Sequence, residues 1–533
     1  MLQRFTIARC LLAVFVLAAT APRFVEAEDL ELTLRSKQPT APQSGRFHTV
    51  TRHETWAGNE TAIIVCDMWD LHHCLNATRR GAEMAPRMNN VLTEARRRGA
   101  IIIHAPSGCM ETYSDHPARQ RAQTTPRSEN LPQDIGKWCY QIPAEEQGEY
   151  PIDQSDGGED DDPREHADWA KKLESMGRNP KAPWKSQTDL LTIDAKHDFI
   201  SDNGEEIWSI LEKHNRQNVV LVGVHTNMCV LGRPFGLRQL SKNGRNVVLM
   251  RDMTDTMYNP KMRPFVSHFT GTDLIIDHIE KWVCPTVTSD QLLGGQPFRF
   301  KNDDRKHCVI VMAEREYRTN ESLPKFALAH LGHDFRVSYV FANEEERNDL
   351  PGIDVLADAD VLLLSVRRRV LPPGQMAVVR KFIESGKPIV GIRTANHAFS
   401  LRGKTPPEGT VAWESWDADI FGGSYSNHYG SGPKVVPSVA EGAARHPILN
   451  GVDVESLRGV GSLYVVNPLS DSAKPLLHGA IPDKPAETIA WTNKTNFGGP
   501  SFYTSLGHVG DFEQPAFQHL LKNALLWVVS ASE

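Results

Sequence analysis

The chain has 533 residues, too many for one hydrophobic core, so two or three domains are expected. Its formal charge of -7 is mild for that length and no Lys/Arg-rich tract stands out, which excludes the electrostatic footprint of a nucleic-acid binder. Aliphatic and aromatic content is ordinary, and a globular protein acting on a small molecule is the expectation.

Residues 1–27 read as a signal peptide. Arg4 and Arg9 precede an apolar run from Leu11 to Ala19, and Val25-Glu26-Ala27 forms a small-x-small cleavage site. The run is short for a membrane span and no later stretch is longer, so the expected location is secreted or periplasmic, with no span after signal removal. An uncleaved anchor is the alternative. Seven cysteines follow Cys10. Their odd number leaves at least one free or paired between chains, and Cys74, Cys109 and Cys139 are candidates for a bridge.

From residue 55 to 289 apolar strands alternate with amphipathic helices. "TAIIVCD", "AIIIHAP", "NVVLVGV" and "NVVLMRD" are strands; "MAPRMNNVLTEARRRG", "GEEIWSILEKHN" and "GLRQLSKNG" are helices. Continuous apolar strands of this kind belong to a parallel sheet covered on both faces. A polar, Pro-rich insertion interrupts the pattern at about 124–185. Its "DQSDGGEDDDPREH" run reads as a solvated loop, or as a calcium site without EF-hand spacing, and an insertion this long can lid a site. A Gly/Pro and charge-rich linker is expected at 290–305, and the rhythm restarts over 306–530. The fold class expected is α/β, with two doubly wound parallel-sheet domains in tandem.

Chemistry is expected where strand ends meet loops. Cys229 lies just past the strand "NVVLVGV", at a helix start that favours a thiolate, with the alternative of an inert buried thiol. Asp67 ends the strand "TAIIVC" and can converge with Cys229 along one sheet edge. Lys196, in "TIDAKHDFI", offers a cation. Asp70, His72, His73 and Cys74 could form a metal site, although adjacent histidines on a helix point in different directions.

Asp67, Lys196 and Cys229, in the contexts "IIVCDMWD", "I-x-x-K-x-x-x-F" and "LVGVHTNMCV", together resemble the isochorismatase-like cysteine hydrolases over about Ala57 to Ser289. That resemblance implies a flavodoxin- or Rossmann-like fold and hydrolysis of an amide-type C–N bond in a small molecule. It also implies Asp67 as general base, Lys196 as cation, Cys229 as nucleophile, a cis peptide at Val224-His225, and homo-oligomers as a common state. The region "HAPSGCMETYSDHP" lacks the Asp-x-His metal motif of nicotinamidases, and Trp69 replaces a frequent Gln, so no metal or cofactor is expected. Trp69, His72, His104 and His225 are the expected substrate-facing positions, His104 with the alternative of a satisfied structural histidine.

The segments "GIRTANHAF", "HPILNGV" and "SFYTSLGHVGDFEQPAFQHLLKNALLW" make Lys306 to Val529 similar to the ThuA-like (trehalose utilisation) family, relatives of class I glutamine amidotransferases. Arg393 stands where those enzymes carry the nucleophilic Cys, which excludes amidotransfer by that route. Asn396, His397 and His508 are expected to face a carbohydrate-related ligand. Two other readings stay open for the whole chain: a non-catalytic binding or scaffold protein, and a metal-dependent hydrolase centred on Asp67 to His73.

Overall fold

The computed structural model describes residues 28–532; the expected export signal at 1–27 lies outside them. The first half contributes strands at Leu30–Pro39 (β1), Phe47–Trp56 (β2), Thr61–Cys66 (β3), Ile101–Ala105 (β4), Phe199–Ile200 (β5), Asn218–Val224 (β6), Asn246–Asp255 (β7) and Thr286–Val287 (β8). They form an eight-stranded sheet in the order β2-β1-β8-β7-β6-β3-β4-β5. From β8 to β5 all neighbours are parallel, whereas β1 pairs antiparallel with both β8 and β2. Every residue of β3 and β6 is buried, as their unbroken apolar runs require.

The second half has strands at Lys306–Ala313 (β9), Phe335–Phe341 (β10), Val361–Val366 (β11), Ile389–Ile392 (β12), Asn427–His428 (β13), Val436–Val439 (β14), Tyr464–Val465 (β15), Lys474–Ala480 (β16), Glu487–Lys494 (β17) and Pro500–Thr504 (β18). The main sheet runs β10-β9-β11-β12-β18-β17-β16-β14, with β13 and β15 forming a separate ribbon. It is parallel from β10 to β18 and antiparallel beyond. The molecule is thus α/β with two largely parallel mixed sheets. The antiparallel edges of both are additions to the all-parallel expectation.

Three elements differ from the sequence reading. The helix expected from Met84 runs over Leu75–Arg97. Its first turn is held by the Asp161 carboxylate, which accepts the Leu75 and Asn76 N–H groups at 2.8 and 2.7 Å. The local N-cap is Cys74, whose Sγ accepts the Ala77 N–H at 3.4 Å; a thiol is a weak cap, and the insertion supplies the carboxylate that completes it. The β1–β2 hairpin was not expected at all. Most of β2 lies partly or fully exposed, and its register comes from β1 and from packing against β10. The segment expected as an exposed linker at 290–305 is also packed. Gln291 accepts the Thr33 N–H at 3.0 Å, Phe298 and Phe300 lie on the first core, and Arg305 bridges Asp303 and Asp273 at 2.7 and 2.9 Å. Ser267 N and Thr270 Oγ1 donate to the Gly332 carbonyl, and Arg46 pairs with Glu344 at 2.9 Å. The two sheets therefore meet across a built interface.

Candidate active site

Parallel pairing of β3 with β6 brings their C-terminal ends side by side. Asp67 leaves β3 in the left-handed region, φ 47°, and is fully buried. Cys229 stands in a single π-helical turn, Thr226–Val230, that follows β6. The Val224-His225 peptide before it is cis. The Cys229 thiol lies beside the Asp67 carboxylate, close enough for each to act on the other's ionisation.

The carboxylate is fixed from two further sides. Ser107 N–H, from the loop after β4, donates to Oδ1 at 2.8 Å. Arg233 brings both Nε and a terminal nitrogen to 3.0 Å from Oδ2. Arg233 is one turn beyond Cys229, its N–H bonded to the Cys229 carbonyl, so the thiol and the cation share a helical face.

Burial pushes the Asp67 pKa above the carboxylate norm, against the opposing pull of Arg233 and its hydrogen bonds. Burial, and then the negative charge of Asp67, push the Cys229 thiol up as well, with Arg233 acting the other way. The thiolate favoured by a helix start is thus outweighed, because the environment is apolar and already carries a carboxylate. The resting pair is a thiol beside a buried carboxyl group.

Lys196 is not part of this group. It lies exposed on the turn Asp194–His197, where its N–H binds Asp194 Oδ1 at 2.8 Å. The inward-facing residue of that segment is Asp198, which is buried and takes Arg96 at 2.6 Å and His104 at 3.0 Å. The cation expected at Lys196 is supplied by Arg233, a residue that the i, i+4 spacing from Cys229 could have exposed.

His104 is a satisfied core histidine: its other ring nitrogen meets Gln187 Oε1 at 2.9 Å. Trp69, His72 and His225 do assemble a wall. Trp69 stacks on Trp184 at 4.5 Å, and His72 stacks against both tryptophans at 5.9 Å and meets the edge of His225 at 4.7 Å. Burial lowers the His225 pKa to about 4 and takes His72 well below the imidazole norm. Both rings are neutral near pH 7.

Trp184 comes from the insertion, which also packs around the turn after β6. Trp138 packs on Gly232 and lies under the Arg233 guanidinium at 5.2 Å, Tyr150 Oη donates to the Asn227 carbonyl, and Gln154 accepts from Asn227 at 2.8 Å. A cavity of about 520 Å³ opens beside these residues, bordered by Trp138, Tyr150, Asn227, Met228, Arg238 and His278.

The alternative metal set does not form as expected. Among the described residues, donor atoms cluster in Cys74–Asp160–Asp161 and in Glu159–Asp161–His166; Asp70, His72 and His73 belong to neither. Asp70 is tied to Arg178 at 2.8 Å, and Asp161 caps the 75–97 helix. All seven described cysteines are free thiols, so the bridge expected among Cys74, Cys109 and Cys139 is not formed.

In the second half, Arg393 occupies the turn after β12 with φ 50° and is buried. It donates to the Ser462 and Ser505 carbonyls at 3.0 and 2.6 Å and lies over the rings of Tyr317 and Tyr464 at 4.6 and 4.3 Å. Asn396 is fully buried and bonds Gly423 and the Tyr425 N–H, so it ties loops together and does not face the crevice. His397 lies against Tyr425 at 4.7 Å. His508 caps a short turn through Gly510 N and meets the edge of Tyr317.

Residues 308–528 match the model of the family ThuA, trehalose utilisation, and the C-terminal half is a ThuA-like domain. Solved structures similar to the chain include a ThuA-like protein from Bacteroides uniformis ATCC 8492, with 16% identity over 44% of this chain and 95% of that one and a TM-score of 0.33. A cysteine hydrolase from Pseudomonas syringae pv. phaseolicola 1448A aligns at 15% identity over 45% of this chain and 93% of its own, TM-score 0.27. A β-galactosidase from Bacillus circulans sp. alkalophilus aligns at 10% identity over 88% and 84%, TM-score 0.31. The comparison with curated proteins gives no match.

Proposed function

We propose that the N-terminal domain is a cysteine hydrolase that cleaves an amide-type C–N bond of a small molecule, in an exported protein. The observation that carries this reading is the contact between the Cys229 thiol and a buried carboxylate, Asp67, itself held by Ser107 N–H and Arg233. A structural cysteine has no need of a desolvated carboxylate beside it, and burying one is costly even when it is paired.

The pair accounts for a full reaction. As Cys229 Sγ attacks the carbonyl carbon, its proton passes to Asp67. N–H groups at the start of the Cys229 turn receive the oxyanion. Collapse breaks the C–N bond, and Asp67 returns the proton to the leaving nitrogen. Water then gives its proton to Asp67 and cleaves the thioester, restoring the thiol and releasing a carboxylic acid. Arg233 pulls the Asp67 pKa down against burial, which favours its action as base, and the neutral His72, His225 and the tryptophans form an apolar, hydrogen-bonding wall for the substrate.

The test is ammonia or amine release from a panel of small amides, together with trapping of an acyl adduct on Cys229 by mass spectrometry. Cys229→Ala abolishes both while the fold persists. Turnover retained by Cys229→Ala would remove this reading.

A further inference from the structure

We propose that the ThuA-like domain binds a small polyhydroxylated organic anion, a sugar carrying a phosphate or a carboxylate, through Arg368 and Arg369 at the crevice between β9 and β11. The order β10-β9-β11-β12 reverses direction between β9 and β11, and open α/β sheets hold ligands outside the strand ends at such a point. The loop after β11 is Arg367-Arg368-Arg369, and the loop after β9 contains Glu314, Arg315 and Glu316.

These cations are unevenly satisfied. Arg367 pairs with Glu316 at 2.8 Å, and Arg315 donates to the Glu344 carbonyl. Arg369 is 4% exposed, yet its guanidinium has no hydrogen-bond or ion-pair partner among the described residues, and Nε is buried and unpartnered. Arg368 Nε is in the same condition, with its backbone at φ 47°. The charges of Arg315, Arg347 and Arg367 all bear on Arg369, opposed only weakly by Glu314. Glu314 is already committed: its two oxygens accept the Thr319 N–H and hydroxyl and the N–H groups of Glu316 and Tyr317. A buried cation without a partner is destabilising, and an oxyanion accepting the guanidinium forks removes that cost.

The surroundings suit a hydroxylated body. His397 is 4% exposed with Nδ1 unpartnered, and Thr394 Oγ1 is buried and unpartnered. Arg367, Arg368 and Arg402 act on the His397 ring, which places it in the same charge field. Tyr425 and Tyr464, 4.6 Å apart, present rings beside it. Unsatisfied donors and acceptors next to aromatic faces match a ring bearing hydroxyls. Arg393 is bonded to carbonyls and serves the wall.

Titration calorimetry and thermal shift of the full chain at fixed ionic strength test this with glucose 6-phosphate, glucuronate, glucose and inorganic phosphate. At least one anionic sugar binds, neutral glucose does not, and the tighter of the two anions identifies the charged group. Arg369→Gln weakens that binding at least tenfold, and Arg369→Lys recovers part of it. Ligand-free Arg369→Met melts higher than the parent, because it loses an unpaired buried charge. Absence of binding by both anionic sugars, unchanged binding in R369Q, or inorganic phosphate binding as tightly as glucose 6-phosphate (an adventitious ion only) would each overturn the proposal. The Cys229 reaction is unaffected by any of these outcomes.

Discussion

Arg233 and Asp67 are joined by two contacts of 3.0 Å onto a single carboxylate oxygen. That leaves the other oxygen to Ser107 N–H and sets a cation against the burial that raises the pKa of this acid beside a thiol. The arrangement makes the basicity of Asp67 depend on one guanidinium.

The first prediction follows from the sign of that coupling. Arg233 lowers both the Asp67 and the Cys229 pKa, so Arg233→Met raises both. The acid limb of the kcat/KM profile moves to higher pH by at least about one unit, equivalent to about 1.4 kcal/mol. Lys196→Met leaves the profile and the iodoacetamide labelling of Cys229 as they were. A shift in the Lys196 variant equal to that in the Arg233 variant would reverse the assignment of the cation.

The second concerns the base itself. Asp67→Asn preserves the bond from Ser107 N–H through its carbonyl oxygen but cannot take the thiol proton. A loss of roughly 10²–10⁴ in kcat is expected, the range for general-base removal, with the melting temperature within a few degrees of the parent. Steady-state kinetics and calorimetry on one preparation check both halves.

A third prediction addresses the wall contributed by the insertion. Trp184 touches Trp69 and His72 and lies far in sequence from Cys229, so Trp184→Ala loosens substrate placement without removing a reacting group. KM rises more than kcat falls, and stability drops by about 0.5–1.5 kcal/mol for the lost aromatic pair, beyond its buried area. An equal fall in kcat and kcat/KM would instead make Trp184 part of transition-state stabilisation.

A fourth is a pH effect on stability. Burial alone would raise the Glu145 pKa, but His278 and Arg238, at 2.8 and 2.7 Å, bring it down from the usual 4.5 to about 2. A depressed carboxylate contributes stability that is fully present above its unfolded pKa and is lost as pH falls through the folded one. The wild type therefore loses stability between about pH 4.5 and 2, and Glu145→Gln flattens that part of the denaturation profile. A Gln variant with the same acid slope as wild type would exclude Glu145 as a source.

How much of this is legible in the sequence depends on whether the cause is local. Asp67 and Cys229 can be read because unbroken apolar runs mark parallel strands, and such strands place their ends together. Arg233 is equally local, four residues from Cys229, but the resemblance pointed to Lys196 and the turn around it faces outward. The tryptophan and tyrosine walls cannot be read, since Trp138, Tyr150 and Trp184 lie in an insertion whose path is set by contacts with distant elements. The helix start at Leu75 is in part the same case: Cys74 caps it locally with a weak acceptor, and the strong one, Asp161, comes from the insertion. In the second half, the sharp turn at Arg393 is visible as a departure from the amidotransferase pattern. The unpartnered state of Arg368 and Arg369 is a property of the fold alone.

The hairpin of β1 and β2 also bears on how such a chain can change over time. It belongs to the first sheet by hydrogen bonding, yet its second strand packs on β10, and Gly332 closes against Val266 so tightly that an added Cβ would come within 2.4 Å of a methyl group. Two units linked only by a flexible string can be reshuffled, each exchanged for a homologue without regard to the other. These two carry a matched seam, so a replacement of either half must bring a surface that fits the one it leaves behind.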